Sequence, residues 1–212
     1  MRIFQRAETA TYFGREIGLM YTHAHLRYAE ALWQFGHAEA FFEALSKAIP
    51  IGVRDLVKTA ALRQSNCYFS SSDATFRDRY QAYEEYELIR EGEVTLEGGW
   101  RVYSSGAGIA SGLILRALFG IRVTRQAIWI DPLIPQALAD LRIELDVSGV
   151  RFDVRYHRGA QGVGPVALTL NGAPLGFDRA ENPYRVGGAR VDAALWREGL
   201  VAGMNRLDIE LG

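Results

Sequence analysis

Apolar side chains recur at three- and four-residue steps in the first half of the chain, which is the period of an amphipathic helix. The clearest helix is predicted from about Ile17 to Phe35, with apolar stripes on two nearly opposite sides. Gly36 is expected to end it, and a second helix is predicted over residues 37–48. Further helices are predicted over about residues 74–90 and 109–119. Since helices that are apolar on two faces pack between neighbours, we expect part of a larger helical layer.

The second half of the chain alternates polar and apolar residues, which is the period of a β-strand. The segments with the clearest alternation are residues 142–147, 150–156 and 206–211. Ser148-Gly149 and Asn171-Gly172 are typical of two-residue hairpin turns. A short strand is also predicted near residues 94–96. The pattern after about residue 126 therefore predicts a small antiparallel β-sandwich.

The change of pattern divides the chain into two predicted domains, residues 1–125 and 126–212. The junction has no linker rich in Pro, Gly or Ser, so close packing of the two parts is expected. The predicted helices do not enclose a core by themselves. The chain is therefore expected to be a fragment of a larger protein or to need a partner.

The amino-acid composition mainly excludes certain classes of binding partner and site. The 212 residues are 49% hydrophobic and 23% charged, with 24 basic and 25 acidic side chains and a net charge of −1. This balance gives no electrostatic case for binding nucleic acid or an anionic membrane. One cysteine, Cys67, and four histidines without a metal-binding spacing predict neither a disulfide framework nor a metal site. No signal peptide or spanning segment is evident in this sequence, so we expect a cytoplasmic protein.

Two features are candidates for binding a small anion. The small residues Ser104, Ser105 and Gly106 precede the last predicted helix, where backbone N–H groups, hydroxyls and the helix dipole favour an anion. His23 shares a polar line with Arg27 and Glu30, spaced i, i+4 and i+7, and Glu30 could orient it. The competing interpretations are an ordinary helix cap and a structural histidine. His25, beside the main apolar stripe, is interpreted as structural.

The segment from Arg63 to Asp73 is a candidate for sugar recognition. It mixes amide, hydroxyl and carboxylate side chains with Tyr68 and Phe69, as sugar-binding sites do. An ordered loop that bonds its own backbone is the alternative. No pair of carboxylates in the sequence can be assigned as the acid and base of a glycosidase.

Several motifs resemble the inverting disaccharide phosphorylases of glycoside hydrolase family 94. In order they are Gly14–Leu32, Arg63–Asp73, Asp78–Tyr80, Gly98–Gly106 and Asp131–Pro135. They most resemble the motifs of cellobionic acid phosphorylases and of the C-terminal region of cyclic β-1,2-glucan synthases. The resemblance implies the C-terminal portion of an (α/α)6 barrel followed by the β-domain.

The resemblance also implies a reaction and roles for residues. Inorganic phosphate, as co-substrate without any further cofactor, would attack a β-linked gluco-disaccharide or oligosaccharide such as cellobionic acid. His23, Ser105 and Gly106 match the phosphate-binding positions of the family. Arg63, Gln64, Asp73 and Ser104 are candidates on the substrate side. The general acid is expected upstream of residue 1, so no catalytic residue is assigned, and the chain alone is expected to be inactive.

Two alternative functions remain open at this point. The chain could be the C-terminal region of a cyclic β-1,2-glucan synthase, whose parent would be a membrane protein although this segment has no membrane span. It could instead be a non-catalytic carbohydrate-binding remnant. The sequence also leaves a homodimer open.

Overall fold

A computed structural model describes residues 22–49, 79–94 and 104–212. Three predicted features lie outside these residues: the beginning of the first helix, most of the 94–96 strand and the 63–73 segment. The described helices of the first half are α1 (Thr22–Phe35), α2 (Ala38–Ala48), α3 (Arg79–Glu84), α4 (Leu88–Glu91) and α5 (Ile109–Leu113).

The junction between α1 and α2 follows the sequence prediction. Gly36 has φ +80°, a left-handed conformation that glycine adopts without steric cost, and its N–H donates to the carbonyl of Trp33. In α2, Glu39 lies in the first turn and Lys47 in the last, so both charges complement the helix dipole. Phe41 is fully buried, as its position on the inward face predicts.

The helix predicted over residues 74–90 is wrong as a single element. The described part consists of α3 and α4, separated by a turn at residues 85–87. Glu84, Glu85 and Glu87 crowd three negative charges into one turn, which disfavours a continuous helix. Gln81 contributes to the end of α3, since its backbone carbonyl and side-chain amide both bond to Glu85.

The last predicted helix begins earlier than its sequence pattern indicates. Two π-helical turns, Ser104–Gly108 and Ile114–Leu118, flank α5. The Ser/Gly run is thus itself helical rather than a loop that leads into the helix. Gly120, with φ +68°, follows, and a Cβ atom there would lie 2.1 Å from the backbone nitrogen of Pro132. Only glycine fits this close approach.

Two sheets form the second half of the chain. The strands are β1 (Ile121–Val123), β2 (Ala127–Ile130), β3 (Arg142–Val147), β4 (Val150–His157), β5 (Pro165–Leu170), β6 (Ala173–Pro174), β7 (Asp178–Arg179), β8 (Ala189–Asp192) and β9 (Met204–Leu211). The four-stranded sheet has the order β1-β2-β8-β7, and the five-stranded sheet has the order β3-β4-β9-β5-β6. A helix, α6 (Ala193–Glu198), follows β8 and is capped by Asp192.

The predicted hairpins are confirmed, but the prediction of a purely antiparallel domain is wrong. Both central residues of the Ser148-Gly149 and Asn171-Gly172 turns have positive φ, as type I′ turns require. In contrast, β4 and β9 pair in parallel over seven residues. Parallel strands need a long crossover connection, and the chain between β4 and β9 supplies it.

The two sheets share one buried apolar cluster. Its members are Ile128, Ile130, Ile134, Phe152, Val154, Tyr156, Leu168, Leu170, Leu175, Ala189, Val191, Ala193, Trp196, Leu207, Ile209 and Leu211. Alternate residues of β2, β4, β5, β8 and β9 enter it, so the arrangement is a sandwich. Burial raises the pKa of the Tyr156 hydroxyl, which donates to the carbonyl of Phe119.

Two compact units are distinguishable along the chain. One comprises Met1–Tyr28 and Ala44–Ala110, and the other comprises Ala29–Glu43 and Ser111–Gly212. The second unit therefore includes the end of α1 and the start of α2 together with both sheets. The domain boundary predicted near residue 125 stays a prediction.

Candidate functional site

The phosphate-site candidates that the structure describes lie in the first unit. His23 is an exposed side chain in the first turn of α1. Gly106 lies in the π-helical turn Ser104–Gly108, and the space beside its Cα is open, since no atom lies within 4 Å of a Cβ built there. No hydrogen bond links His23 to Gly106 among the described residues. Each group is accessible, and their joint role stays a prediction.

The substrate-side candidates and Ser105, the remaining phosphate-site candidate, are described only in part. Arg63, Gln64 and Asp73 lie outside the described residues. Ser104 and Ser105 are placed by their backbone in the π-helical turn, where their N–H groups belong to the first turn of the helix. The first N–H groups of a helix have no partner within it, and they are the groups that would face an anion.

The two neighbours of His23 singled out in the sequence have structural contacts. Glu30 accepts a hydrogen bond of 2.8 Å from Nη2 of Arg116. The Nε2 atom of His25 donates to the backbone carbonyl of Ala44 at 2.7 Å and so joins α1 to α2. The structural interpretation of His25 is confirmed. The idea that Glu30 orients His23 stays a prediction.

Asp131, the first residue of the Asp131–Pro135 motif, makes the most buried ion pair of the second unit. Both carboxylate oxygens accept hydrogen bonds from Arg185, at 2.8 and 2.9 Å, and the Arg185 side chain is only 5% exposed. Arg185 also donates to the carbonyl of Trp33 at the end of α1. The motif thus ties this helix end to the strand β2 that precedes Asp131, and its role is architectural.

A polar face, consisting of the outward residues of β3, β4, β5 and β9, covers the five-stranded sheet on the side away from the core. On it, hydrogen bonds from Arg155 and Arg142 hold the pKa of Asp153 below its ordinary value. Asp208 has a lowered pKa as well, mainly because Arg206 donates to both its oxygens. The polar face was not a candidate in the sequence, although the alternation of residues 206–211 signals it.

The described ranges 22–49, 79–94 and 104–212 contain neither a metal-binding cluster nor a membrane-spanning helix. No group of three or more His, Cys, Asp or Glu side chains in these ranges could hold a metal ion. No helix in the same ranges is both long and apolar enough to cross a membrane.

Comparison with known proteins identifies the domain. Residues 120–209 match a family profile described as "Glycoside phosphorylase C-terminal domain". The chain is also 42% identical over 184 residues to a 1,2-beta-oligoglucan phosphorylase from Listeria innocua serovar 6a. This alignment covers 87% of the chain but 16% of that relative.

The β-rich half of the second unit is thus the C-terminal domain of a glycoside phosphorylase. The chain corresponds to a C-terminal part of a glycoside phosphorylase, as its motifs predict. Because the chain spans 16% of the length of its relative, the activity of the whole protein is a matter for proposal.

Proposed function

We propose that the chain contributes the phosphate-binding part of an inverting glycoside phosphorylase. The reaction cleaves a β-linked gluco-oligosaccharide with inorganic phosphate and yields α-glucose 1-phosphate. The observation that carries the proposal is the 42% identity to a 1,2-beta-oligoglucan phosphorylase over most of this chain. The alignment with this relative covers 184 residues, whereas the family profile matches only residues 120–209. The similarity therefore extends well beyond the C-terminal β-domain.

Two features of the first unit suit the proposed phosphate site. An exposed histidine and a helix start with open space beside Gly106 supply a cationic or hydrogen-bonding side chain and free backbone N–H groups. Phosphate is already a nucleophilic anion, so the reaction needs no base to activate water. It does need an acid to protonate the leaving oxygen, and we propose that this acid belongs to the part of the enzyme that this chain does not span.

The helices of the first half would then be part of an (α/α)6 barrel that other segments of the enzyme complete. Arg63, Gln64, Asp73 and Ser104 are proposed to face the sugar. The single cysteine suits a reducing compartment, and we place the reaction in the cytoplasm.

The proposed substrate is a β-1,2-linked oligoglucan rather than cellobionic acid. The relative's name carries this choice, because it states that linkage class. A cyclic β-1,2-glucan synthase acts on the same linkage and remains the second candidate. Glucose 1-phosphate formation from linear β-1,2-oligoglucans, but no cyclic glucan synthesis, by the complete protein would separate the two.

A chimera tests the proposal directly. The matching segment of the Listeria innocua relative is replaced by this chain, and formation of glucose 1-phosphate from β-1,2-oligoglucans and phosphate is measured. We expect the chimera to be active and to prefer β-1,2-oligoglucans over cellobionic acid. A chimera that folds with the parent's unfolding temperature yet forms no glucose 1-phosphate would overturn the proposal.

The role of His23 is tested in the same chimera. His23→Ala should raise the KM for phosphate about 10- to 100-fold, because a hydrogen bond to a charged group contributes about 1.5–3 kcal/mol. His37→Ala is the matched control, since His37 is also an exposed histidine next to a helix end. Equal phosphate KM values for the two variants would remove His23 from the site.

A further inference from the structure

The central strand of the five-stranded sheet presents opposite chemistry on its two faces. Alternate residues of β9, Leu207, Ile209 and Leu211, enter the core. The other alternate residues, Arg206, Asp208 and Glu210, therefore point to the polar face, because successive side chains of a strand lie on opposite sides. The strand thus places a cation and two carboxylates in one row.

Neighbouring strands add further polar groups to this row. In the register of the sheet, His157 of β4 lies beside Glu210, and Thr169 of β5 lies beside Asp208. Together with Gly172, which has no side chain, these residues line a groove of about 370 Å³ on the polar face. This volume is in the range of small-molecule sites.

One part of the groove is fixed by internal hydrogen bonds. Asp208 accepts from Nε and Nη2 of Arg206 at 2.7 and 2.9 Å, and from Nε2 of His157 at 3.2 Å. The Asp208 side chain is only 12% exposed, so this trio forms the floor of the groove. Its geometry is set before any ligand arrives, which lowers the entropic cost of binding.

Other groups in the groove have hydrogen-bonding capacity to offer. Within the part of the chain that the structure describes, the Glu210 carboxylate and the Thr169 hydroxyl make no side-chain hydrogen bond. Arg206 uses Nε and Nη2 for Asp208, which leaves the N–H groups of Nη1. The groove therefore presents two carboxylate acceptors, a hydroxyl and guanidinium donors to a ligand.

The charge of these groups selects the class of ligand. Asp208 and Glu210 repel an anion, whereas Arg206 repels a cation. A neutral molecule dense in hydroxyl groups meets neither penalty, and adjacent hydroxyls can donate to the two oxygens of Glu210. We propose that this groove is a second carbohydrate site that binds a β-linked gluco-oligosaccharide. The choice of glucan rests on the proposed function.

Binding can be measured without any catalysis. β-1,2-Linked gluco-oligosaccharides are titrated into the 212-residue chain without phosphate, and backbone amide shifts near Thr169 and Glu210 are followed by NMR. We expect saturable shifts with a Kd on the order of 1 mM, because the groove lining holds no Phe, Tyr or Trp ring to add stacking energy. Glu210→Gln should weaken binding about 10-fold, and Thr169→Val should also weaken it.

Glu144→Gln is the matched control, because Glu144 is an exposed glutamate of β3 on the same polar face but outside the groove. Its Kd should equal that of the unchanged chain. Absence of saturable shifts, equal Kd values for the two Gln variants, or stronger shifts with inorganic phosphate or Ca²⁺ would overturn the groove site. If the chimera is active but the groove fails these binding tests, the proposed function stands and the groove site does not. If the chain binds the oligosaccharide but the chimera is inactive, the groove site stands and the proposed function does not.

Discussion

Arg185 illustrates how a single side chain can join distant parts of the second unit. It makes a two-point ion pair with Asp131 and donates to the carbonyls of Trp33 and Val186. The guanidinium is planar and presents several N–H groups in fixed directions, so one residue satisfies all these acceptors. Asp131 was singled out in the sequence as the first residue of the Asp131–Pro135 motif. Arg185 belongs to no such motif and lies 54 residues further along the chain.

Replacement of Arg185 should therefore be costly. We expect Arg185→Met to lower the free energy of unfolding by about 2–4 kcal/mol, because it leaves Asp131 unpaired in a partly buried place. Arg190→Met is the control, since Arg190 is 37% exposed and pairs with an Asp178 that is 81% exposed. Its loss should be below about 1 kcal/mol. Equal losses in urea denaturation would show that burial of the Arg185 pair contributes little.

The carboxylates of the polar face predict a dependence of stability on pH. Asp153 and Asp208 have lowered pKa values in the folded protein, mainly through hydrogen bonds from Arg155 and Arg206 respectively. A lowered pKa stabilises the fold above the unfolded-state value of about 4 and loses this effect as pH falls through the folded-state pKa. We expect the urea midpoint to fall below about pH 4. Asp153→Asn should flatten this fall, and an equally steep profile for that variant would contradict the assignment.

At the level of elements, local sequence signals were reliable where one short segment determines the conformation. The Ser148-Gly149 and Asn171-Gly172 turns and the Gly36 helix end follow from the left-handed backbone that these positions adopt. The break between α3 and α4 depends on competition between helix propensity and charge repulsion. The spacing of apolar residues carries no information about this competition. The parallel pairing of β4 with β9 is a long-range choice that no local pattern encodes.

A glycine pair tests the turn chemistry. Gly149 has φ +83° and open space around its Cα, so Gly149→Ala should cost about 1–2 kcal/mol through backbone strain alone. In Gly176→Ala the nearest atom to the new Cβ is 3.8 Å away, and the residue has no positive φ. This control should change the unfolding free energy by less than about 1 kcal/mol. Comparable losses in both variants would refute a conformational cause.

For the whole molecule, the assignment to a C-terminal part of a glycoside phosphorylase followed from motif order, whereas the sites were only partly accessible to sequence reasoning. His23 and Gly106 could be named because their residue types and spacing match a family pattern, and the structure shows both accessible. The groove could not be named, because it forms only when β4, β5 and β9 lie side by side. A site whose residues match family motifs can be named from a sequence, whereas a site assembled from three strands without such a motif cannot.

The share of the relative that this chain spans leads to a prediction about activity. Since the chain corresponds to 16% of that enzyme, we expect the 212-residue chain alone to form no glucose 1-phosphate from β-1,2-oligoglucans and phosphate. The chimera serves as the positive control in the same assay. Turnover by the isolated chain at a rate near that of the chimera would place the general acid within these residues.

The position of β9 also affects how the protein is made. It enters the sheet between β4 and β5, both of which leave the ribosome earlier. Until β9 emerges, these two strands have no neighbour on their facing edges, and unpaired edges favour association with other nascent chains. The five-stranded sheet can therefore close only after synthesis has passed residue 211, and slow translation or lost chaperone access before that point should promote aggregation.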